Sequence, residues 1–526
     1  MPLSYVDIAA CLLTLLLIYR WRKSRSIPYP PGPPGLPILG NALDIQDDTV
    51  FLKYQQWGKQ YESPLIHLKA LGTHLIIVND RETAVDLMDR RSALYNDRPT
   101  LPMLSELMDF AWTLGFIKSN QTWKEGRKLA HQAFSLQAIK NYQLAETEGV
   151  QDLVRRMLAN PDNFDIDTRH MAGRTIIRVA YGFDVLPYDD PYIRIGENVM
   201  EGVSAATNAG SYLVDIFPAL KYIPAWFPGA NFRRQAAIWR EQGYDLRNEA
   251  YNHMLDLVKQ GKMASDCVGS SVLEAVEDSK NPEYTEYIAR CTLGSMYAAG
   301  ADTTVATTQT FVLAMLLYPE IQKKAQAEID RVIGNPPSRL PTFADREAIG
   351  GYLEGLILEV FRWRPAVPTN LPHRLTEADI YKGYYIPKGS IIISNSWTMS
   401  RDEKTYGTSI PVSTFDPERF LKRTTNPTLG DSQFELDPNI VDPASFVFGF
   451  GKRICPGRFL VKDTLWITAA TMLAVFDMRC PKDANGVDIV PSAEYGHGLI
   501  AFPKPFARDI RPRSKEHEAL IINSGL

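Results

Sequence analysis

Long stretches of helical periodicity constrain the fold of this chain most. Apolar residues recur at spacings of three and four, as in a helix that buries one face. The clearest stretches are 121–140, 145–160, 285–318, 350–363 and 458–476. Two β-rich runs, 65–69 and 74–78, flank a short turn and predict a hairpin. Beyond residue 40 no linker, repeat or low-complexity block interrupts the 526 residues. We therefore expect one large, mainly α-helical domain with a minor β part.

The N-terminal region differs from the rest of the chain in composition. Residues 3–19 are nearly all apolar, and a basic cluster follows at 20–25. An apolar helix of roughly 20 residues spans a bilayer, and basic flanks stay in the cytosol. We predict a single-pass membrane anchor at 1–26, a proline-rich hinge at 27–40 and a cytosolic globular domain at 41–526. A cleaved signal would carry its basic residues before the apolar run, and an interfacial helix is the other alternative.

Charge and cysteine content exclude several classes of protein. The formal net charge is -4, from 57 basic and 61 acidic residues, so we expect no nucleic-acid partner. The five cysteines are scattered, without a C-x-x-C pair, which argues against a disulfide framework and a structural zinc site. A lone thiolate can still bind a metal.

One cysteine, Cys455, lies in a segment with unusual local chemistry. Glycines and a proline crowd it, and an apolar helix follows at once. Glycine lets the backbone approach a flat ligand, and the amides of a helix N-terminus favour a thiolate. A dinucleotide-binding loop would need glycine where Ile454 stands, and an inert buried cysteine would not need this setting. The segment therefore favours a thiolate ligand at Cys455.

The same segment resembles the F-x-x-G-x-R-x-C-x-G signature of the cytochrome P450 family. The fixed positions are occupied by Phe448, Gly451, Arg453, Cys455 and Gly457. Four further elements occur in the family's order, so the resemblance extends over essentially the whole chain. It implies the cytochrome P450 fold and haem b as cofactor. It also implies that Cys455 is the axial ligand of the iron and that Phe448 and Arg453 contact the haem.

Two of these elements resemble segments that bind the haem propionates. Trp123 and Arg127 are four residues apart and share one helical face. Taken alone, such a pair is usually an ordinary surface pair. The resemblance implies that both bind a propionate, and that His373 or its neighbour Arg374 does the same. Arg98 matches this role more loosely.

Another element, at 299–304, lies inside a long apolar helix. Gly300 costs about 1 kcal/mol relative to alanine in a helix interior, and an acid beside an alcohol also needs a reason there. A helix kink with a satisfied hydroxyl is the structural alternative. The resemblance implies oxygen activation. In that role Gly300 opens a groove for dioxygen, Thr303 orders water, and Asp302 supplies protons for O–O cleavage.

A further element pairs Glu359 with Arg362, three residues later on one helical face. On a surface such a pair is worth about 0–1 kcal/mol. The resemblance implies instead a buried structural lock that closes with Arg419. Ser400 stands where the family often has a histidine, which affects packing alone.

Together these elements imply a haem-dependent monooxygenase that oxidises an apolar small molecule with dioxygen. The sequence of the proline-rich hinge resembles fungal members of the family, which implies secondary metabolism or xenobiotic oxidation. No flavin or NAD(P)H motif is visible, so the resemblance implies NADPH–cytochrome P450 reductase as a partner on the endoplasmic reticulum membrane. Its docking face is expected at Lys124, Lys128, Lys452 and Arg458, although a solvated basic patch is equally compatible. The apolar candidates for the substrate pocket are Met103, Leu104, Phe110, Trp112, Phe116, Leu371 and Leu499.

Two other classes stay open at this stage. A haem-thiolate isomerase or dehydratase would not use dioxygen, but such proteins usually lack the acid–alcohol pair. A non-enzymatic haem-binding protein would need neither that pair nor a reductase face. NADPH consumption coupled to substrate oxidation separates the three classes.

Overall fold

The computed structural model describes residue 14 and residues 27–46, 49–208, 210–424, 434–496 and 498–524. Helices dominate this part of the chain. Those of nine or more residues are α1 Val50–Gln60, α2 Gln121–Ala133, α3 Gln143–Ala159, α4 Phe164–Tyr181, α5 Pro191–Thr207, α6 Asn231–Lys259, α7 Val268–Glu277, α8 Pro282–Leu317, α9 Pro319–Ile333, α10 Gly351–Trp363, α11 Arg458–Val475 and α12 Lys515–Asn523.

Shorter helical turns join these helices. The α-helical turns are Arg81–Val85, Ser92–Tyr95, Leu213–Ile216, Arg346–Ile349, Ser396–Met399, Glu403–Tyr406 and Ala444–Val447. The 3-10 turns are Ala138–Tyr142, Pro161–Asn163, Pro218–Tyr222, Phe343–Asp345, Pro417–Phe420 and Gly451–Arg453. Two π-helical turns span Asp86–Arg90 and Pro102–Leu107.

The strands are short and form small sheets. They are β1 Leu65–Ala70, β2 Thr73–Val78, β3 His373–Arg374, β4 Asp379–Tyr381, β5 Tyr384–Ile386, β6 Ile391–Ser394, β7 Leu421–Arg423, β8 Phe434–Leu436, β9 Phe476–Arg479 and β10 Asp509–Pro512. The largest sheet has the order β1-β2-β6-β3, and β2 pairs with β6 in parallel. The pairs β4-β5, β7-β8 and β9-β10 form separate two-stranded sheets. The prediction of a mainly α-helical protein with a minor β part is confirmed.

The predicted elements agree with the observed ones except at one end. The hairpin is confirmed, and its turn uses positive φ at Leu71 (47°) and Gly72 (89°), as a two-residue hairpin turn requires. The helix predicted over 121–140 is wrong in length, because α2 ends at Ala133. Ser135 Oγ then accepts a hydrogen bond from the amide of Ala138 at 3.3 Å and caps the following 3-10 turn. Such local side-chain bonds compete with helix continuation.

Helix α8 joins two hydrophobic clusters. Its N-terminal half, including Met296 and Ala298, packs with residues 103–112, α4, α5 and α6. Its C-terminal end, Phe311 to Leu316, packs with α3, α9, α10 and α11. Both ends are therefore held by apolar contacts. Between them the helix is less buried, and that stretch contains Thr303.

The predicted anchor at 1–26 lies outside the described residues, apart from Thr14. Within the described ranges, no helix is long and apolar enough to cross a bilayer. The predicted hinge packs on the largest sheet. The carbonyl of Pro31 accepts from the amide of His67 at 2.9 Å. The ring of Tyr29 stacks on that of His67, with centroids 4.7 Å apart.

Candidate functional site

The loop that carries Cys455 has a backbone that requires glycine. The amide of Cys455 donates to the carbonyl of Phe448 at 2.8 Å, which closes the loop. Gly451 has a φ of 54°, and a Cβ added there would lie 2.2 Å from the carbonyl oxygen of Met88. A side chain at 451 would therefore collide with backbone. The ring of Phe448 packs edge-on against Phe361 with a centroid distance of 5.3 Å.

The Cys455 sulfur lies at the N-terminus of α11. Burial raises the pKa of the thiol. Hydrogen bonds from the amides of Gly457 and Arg458, and the nearby Arg127 guanidinium, act in the opposite direction and favour the thiolate. These are the features that the sequence predicted for this cysteine.

Two arginines are buried near this loop without a carboxylate partner. Arg98 and Arg453 are 4% and 8% exposed. Neither they nor Arg127 form an ion pair within the described part of the chain. Each of the two buried guanidinium groups donates instead to three backbone carbonyls, those of Gly115, Leu371 and Pro372 for Arg98 and those of Asn96, Leu114 and Ile117 for Arg453.

This arrangement leaves an excess of positive charge in the interior. Burial, and then the proximity of Arg98, lowers the pKa of Arg453 to about 8. Burial also lowers the pKa of Arg98 to about 9; the nearby Asp97 carboxylate opposes this shift and Arg127 adds to it. Buried charges are normally paired. The site therefore suits a ligand that brings its own acidic groups.

His373 and Trp123 complete the polar side of this site. His373 is 4% exposed, and its Nδ1 lies 2.7 Å from the carbonyl oxygen of Tyr95, which can only accept. Burial and then Arg98 lower the pKa of His373 well below its usual value, so the ring is neutral. The ring of Trp123 lies 4.1 Å from the Arg453 guanidinium. All these predicted residues are thus brought together around Cys455.

One face of α8 turns toward the same site. Ala299 is exposed in the middle of this mostly buried helix, and Thr303 follows one turn later. The Thr303 hydroxyl donates to the Ala299 carbonyl at 2.9 Å. One turn earlier, Ser295 Oγ accepts from the amide of Leu114 at 2.9 Å, and the Leu114 carbonyl accepts from Arg453. Short bonds therefore link this face of α8 to the cysteine loop.

Asp302 and Gly300 face neighbouring helices. Asp302 is 9% exposed, and its Oδ1 lies 3.0 Å from Arg169 Nη1 on α4. Burial raises the pKa of Asp302, although Arg169 acts to lower it. A Cβ added to Gly300 would lie 2.7 Å from Ile176 Cγ1, so glycine permits the close approach of α4 and α8. This gives Gly300 a packing reason, while its role beside dioxygen stays a prediction.

The predicted lock is buried, as expected. Arg362 Nε lies 2.6 Å from Glu359 Oε2, and both side chains are fully buried. Arg419 Nε lies 3.8 Å from Glu359 Oε1 and is almost fully buried. The amide of Asp416 also donates to Glu359 Oε1 at 2.8 Å. The lock therefore joins α10 to the segment that precedes β7.

The predicted apolar pocket residues also come together. Six of the seven belong to the cluster that contains Met296 and Ala298 of α8: Met103, Leu104, Phe110, Trp112, Phe116 and Leu499. Leu371 lies against Gly115: its Cδ1 atom is 3.4 Å from the position that a Cβ on Gly115 would occupy. Sequence reasoning did not identify Arg169 or Ser295. Arg169 is 133 residues from its partner in the chain, and no pattern in the sequence relates the two.

Buried cations around a thiol suit a flat cofactor that has its own carboxylates, as haem has. A site of this kind is typical of haem-thiolate proteins. Comparison with protein families agrees: residues 30–506 match the Cytochrome P450 family model. The chain belongs to this family. Enzymes of the family use dioxygen, a redox partner and an organic substrate.

Relatives of similar sequence cover nearly the whole chain. A cytochrome P450 monooxygenase of Armillaria gallica is 37% identical over 98% of both chains. A protein named tryptamine 4-monooxygenase, from Psilocybe cyanescens, is 36% identical over 94% of this chain and 95% of its own. A cytochrome P450 monooxygenase of Rhodocybe pseudopiperita is 36% identical over 95% and 92%. The protein is accordingly a haem-dependent monooxygenase with thiolate ligation of the iron.

Proposed function

We propose that the Cys455 thiolate would hold the haem iron in a monooxygenase that oxidises an apolar small molecule. One observation carries this assignment. Cys455, at the N-terminus of α11, lies in the same site as buried guanidinium groups that have no ion-pair partner in the described part of the chain. Haem, when bound, supplies the iron that binds dioxygen and the redox chemistry. The thiolate pushes electron density toward that iron.

The propionates of haem would be held by the buried polar groups of the site. Arg98, Arg127 and Arg453 supply fixed cationic donors, and Trp123 supplies an indole N–H. His373 is neutral and uses Nδ1–H on the Tyr95 carbonyl, so it can donate to a propionate only if Nε2 also takes a proton. A nearby carboxylate would favour that second proton, because opposite charges stabilise each other.

Asp302, Thr303 and Gly300 form the proposed catalytic group. The Thr303 hydroxyl lies on the face of α8 that opens toward the site, where it can hold a water molecule. Burial raises the pKa of Asp302, and its partner Arg169 has a side chain that is 34% exposed, so the carboxyl is proposed to take up and release a proton. Gly300 keeps the helix free of a side chain at this point.

The substrate is proposed to be an apolar small molecule of fungal secondary metabolism or a xenobiotic. Support comes from the apolar cluster of aromatic and aliphatic side chains that includes Met296, Ala298 and Ala306 of α8, on either side of Thr303 in the sequence. One relative is named for tryptamine, a small aromatic compound.

The enzyme is proposed to act on the cytosolic face of the endoplasmic reticulum, with residues 1–26 as a single-pass anchor, 27–40 as a hinge and 41–526 as the catalytic domain. Two exposed apolar stretches support membrane contact. They lie close to each other at Gln46 and Gly210, because a Cβ added to Gly210 would lie 2.9 Å from Gln46 Cγ. The exposed side chains are Leu36, Ile38, Leu39, Leu43, Leu213, Phe217, Trp226 and Phe227. Apolar and aromatic side chains of this kind suit a bilayer interface.

NADPH–cytochrome P450 reductase is the proposed electron donor. Lys124, Lys128 and Lys452 are exposed and form no ion pair within the described ranges, which supports a basic docking face. Arg458 is half-buried, and its guanidinium donates to the Cys455 carbonyl at 3.1 Å. This bond would connect the docking face directly to the ligand loop.

The assignment of the ligand is tested by the spectrum of the reduced carbon monoxide complex. Cys455→Ala should lose the thiolate-type spectrum, because no other thiol lies in the loop. Cys480→Ala is the matched control, since Cys480 is also half-buried but donates to Leu316 away from the loop. Retention of the thiolate-type spectrum in Cys455→Ala would falsify the assignment.

A further inference from the structure

A separate cavity of about 510 Å³ lies between the π-helical turn Pro102–Leu107, the 3-10 turn Pro218–Tyr222 and helix α6. Its charged lining consists of Lys221, Arg233, Arg240 and Glu106. Leu107, Tyr222, Ala236 and Ala237 supply the remainder. The lining shares no residue with the proposed haem site.

The lining carries more positive than negative charge. Lys221 Nζ lies 2.5 Å from Glu106 Oε2, so these two charges compensate each other. Arg233 and Arg240 form no ion pair with a carboxylate in the described part of the chain. Two positive charges therefore remain uncompensated in a concave space, which attracts anions.

The two arginines are oriented in advance. Arg233 donates to the backbone carbonyls of Lys221 and Ile223, the latter at 3.0 Å. Arg240 donates to the Glu106 carbonyl at 3.1 Å. The arginines are seven residues apart on one face of α6, and Ala236 and Ala237 between them leave the space open. Each guanidinium keeps further N–H groups for a ligand.

The surroundings of the cavity indicate what the anion is attached to. From 216 to 240 the chain has four cationic residues and no acidic one. The same stretch exposes aromatic rings, with Tyr222 at 77% and Trp226 at 79%. Cationic and aromatic side chains together are typical of a bilayer interface. An amphiphile therefore fits this location better than a free ion.

We propose that this cavity binds the phosphate headgroup of an acidic phospholipid. The inference rests on the proposed membrane attachment and adds lipid selectivity to it. Arg233 and Arg240 would contact the phosphate oxygens, since the guanidinium fork matches phosphate geometry. The exposed rings of Tyr222 and Trp226 would lie at the level of the headgroups. The cavity would thereby fix the orientation of the enzyme on an acidic membrane.

The test is co-sedimentation of the full-length holoprotein with vesicles of two compositions. One is phosphatidylcholine alone, and the other is phosphatidylcholine mixed with phosphatidylglycerol in equal parts. The variant Arg233→Gln/Arg240→Gln should bind the acidic vesicles about tenfold to thirtyfold more weakly. Its binding to neutral vesicles should be unchanged. Lys259→Gln/Lys262→Gln is the control, because it removes the same charge from exposed positions at and just beyond the C-terminal end of α6.

The outcomes separate the two proposals. Equal losses in the two variants would overturn the cavity site. Wild-type protein that binds neutral vesicles without preferring acidic ones would overturn the cavity site and leave membrane attachment standing. Absence of binding to either vesicle would overturn both. Calorimetric titration with inorganic phosphate tests whether the cavity binds free phosphate instead of a lipid headgroup. Binding of phosphate as tight as that of the vesicles would overturn the lipid assignment.

Discussion

At the scale of single residues, the position of Thr303 is the most informative. Threonine in a helix commonly turns its hydroxyl back to the carbonyl four residues earlier. Here that carbonyl belongs to Ala299, which is exposed in the middle of the mostly buried helix α8, so the bond lies at the open face. The hydroxyl retains its acceptor capacity there and can order a water molecule. The acid next to it in sequence, Asp302, turns toward α4, where it pairs with Arg169.

We predict that Thr303→Ala separates NADPH consumption from substrate oxidation. Without the hydroxyl, the water that Thr303 would hold for proton delivery is lost, so the electrons taken from NADPH should appear as hydrogen peroxide instead of oxidised substrate. General acid–base groups of this kind contribute about 10²–10⁴-fold. The measurement is the ratio of peroxide formed to NADPH consumed, with a substrate that shifts the ferric spin state.

Thr307→Ala is the control for this prediction. Its hydroxyl makes the same kind of bond one turn later, to the Thr303 carbonyl at 2.8 Å. Coupling should stay close to the wild-type value in this variant. A Thr303→Ala enzyme that is equally well coupled would remove the hydroxyl from the proton path.

At the scale of elements, the lock between α10 and the segment 416–419 holds the side of the fold that carries the cysteine loop. Glu359 accepts hydrogen bonds from Arg362 and from the amide of Asp416, and it forms an ion pair with Arg419 at 3.8 Å. Burial raises the pKa of Glu359, whereas these donors act to lower it. A carboxylate with this many donors cannot be removed without leaving buried cations unpaired.

We predict that Glu359→Gln lowers the free energy of unfolding by about 3–5 kcal/mol, because one partner of a buried pair is lost. The yield of haem-loaded protein should fall with it. Denaturant titration and the haem-to-protein ratio are the measurements. Glu320→Gln removes the same group from an exposed pair with Lys323, also three residues apart, and should cost about 0–1 kcal/mol. Similar losses in the two variants would contradict the buried lock.

The hinge and the largest sheet form a second connection between elements. His67 Nε2 and His74 Nδ1 lie 2.8 Å apart, and Tyr29 of the hinge stacks on both rings. Burial, and then the neighbouring His74 and Lys69, lowers the pKa of His67 from 6.5 to about 4. Burial and Lys69 also lower the pKa of His74. The folded protein therefore keeps both rings neutral where the unfolded chain would protonate them.

We predict that this pair makes the protein less stable in mild acid. Between about pH 6.5 and pH 4 the unfolded chain binds more protons than the folded one, so stability rises with pH through this window. His67→Gln/His74→Gln should flatten the dependence, measured as unfolding free energy at about pH 7 and pH 5. His131→Gln, at an exposed position, should leave the dependence unchanged. An unchanged slope in the double variant would exclude the pair as its source.

At the scale of the whole molecule, charge is distributed unevenly although the net charge is small. The net formal charge is -4, yet Lys124, Lys128 and Lys452 are exposed close to the helix and the loop that flank Cys455. Surface patches that carry charge of one sign steer an oppositely charged partner toward them, and this attraction weakens as the ionic strength rises.

We predict that Lys124→Glu/Lys128→Glu/Lys452→Glu slows reduction by the reductase by roughly tenfold or more at low salt. The rate of the wild-type enzyme should approach that of the variant as salt is added. Stopped-flow reduction under carbon monoxide is the measurement, and the spectrum after chemical reduction should be unchanged.

Charge reversal elsewhere is the control for this experiment. Lys259→Glu/Lys262→Glu/Lys388→Glu changes the net charge equally at exposed positions outside this face. If both triple variants slow reduction alike, the effect is one of net charge, and the docking face is wrong.

Much of the site was predictable from sequence because its constraints are local. The Cys455 loop needs glycine at 451 for its backbone, and a helix must follow for its amides. Both requirements are met within ten residues. The spacing of Trp123 and Arg127 likewise follows from one helix.

Contacts between residues that are far apart in the chain could not be predicted from such local patterns. Arg169 pairs with Asp302, and Ser295 reaches Arg453 through Leu114. The cavity at Arg233 and Arg240 needs the turn at Lys221 and the π-helical turn beside it.

The sequence by itself determined the family and the helical class and predicted the ligand loop, because periodicity and loop chemistry act over a few residues. Only the tertiary structure decided which face of α8 is open, how Gly300 packs, and where uncompensated positive charge collects. Those properties depend on how helices approach one another, and the free energy of that packing is shared among residues far apart in the chain.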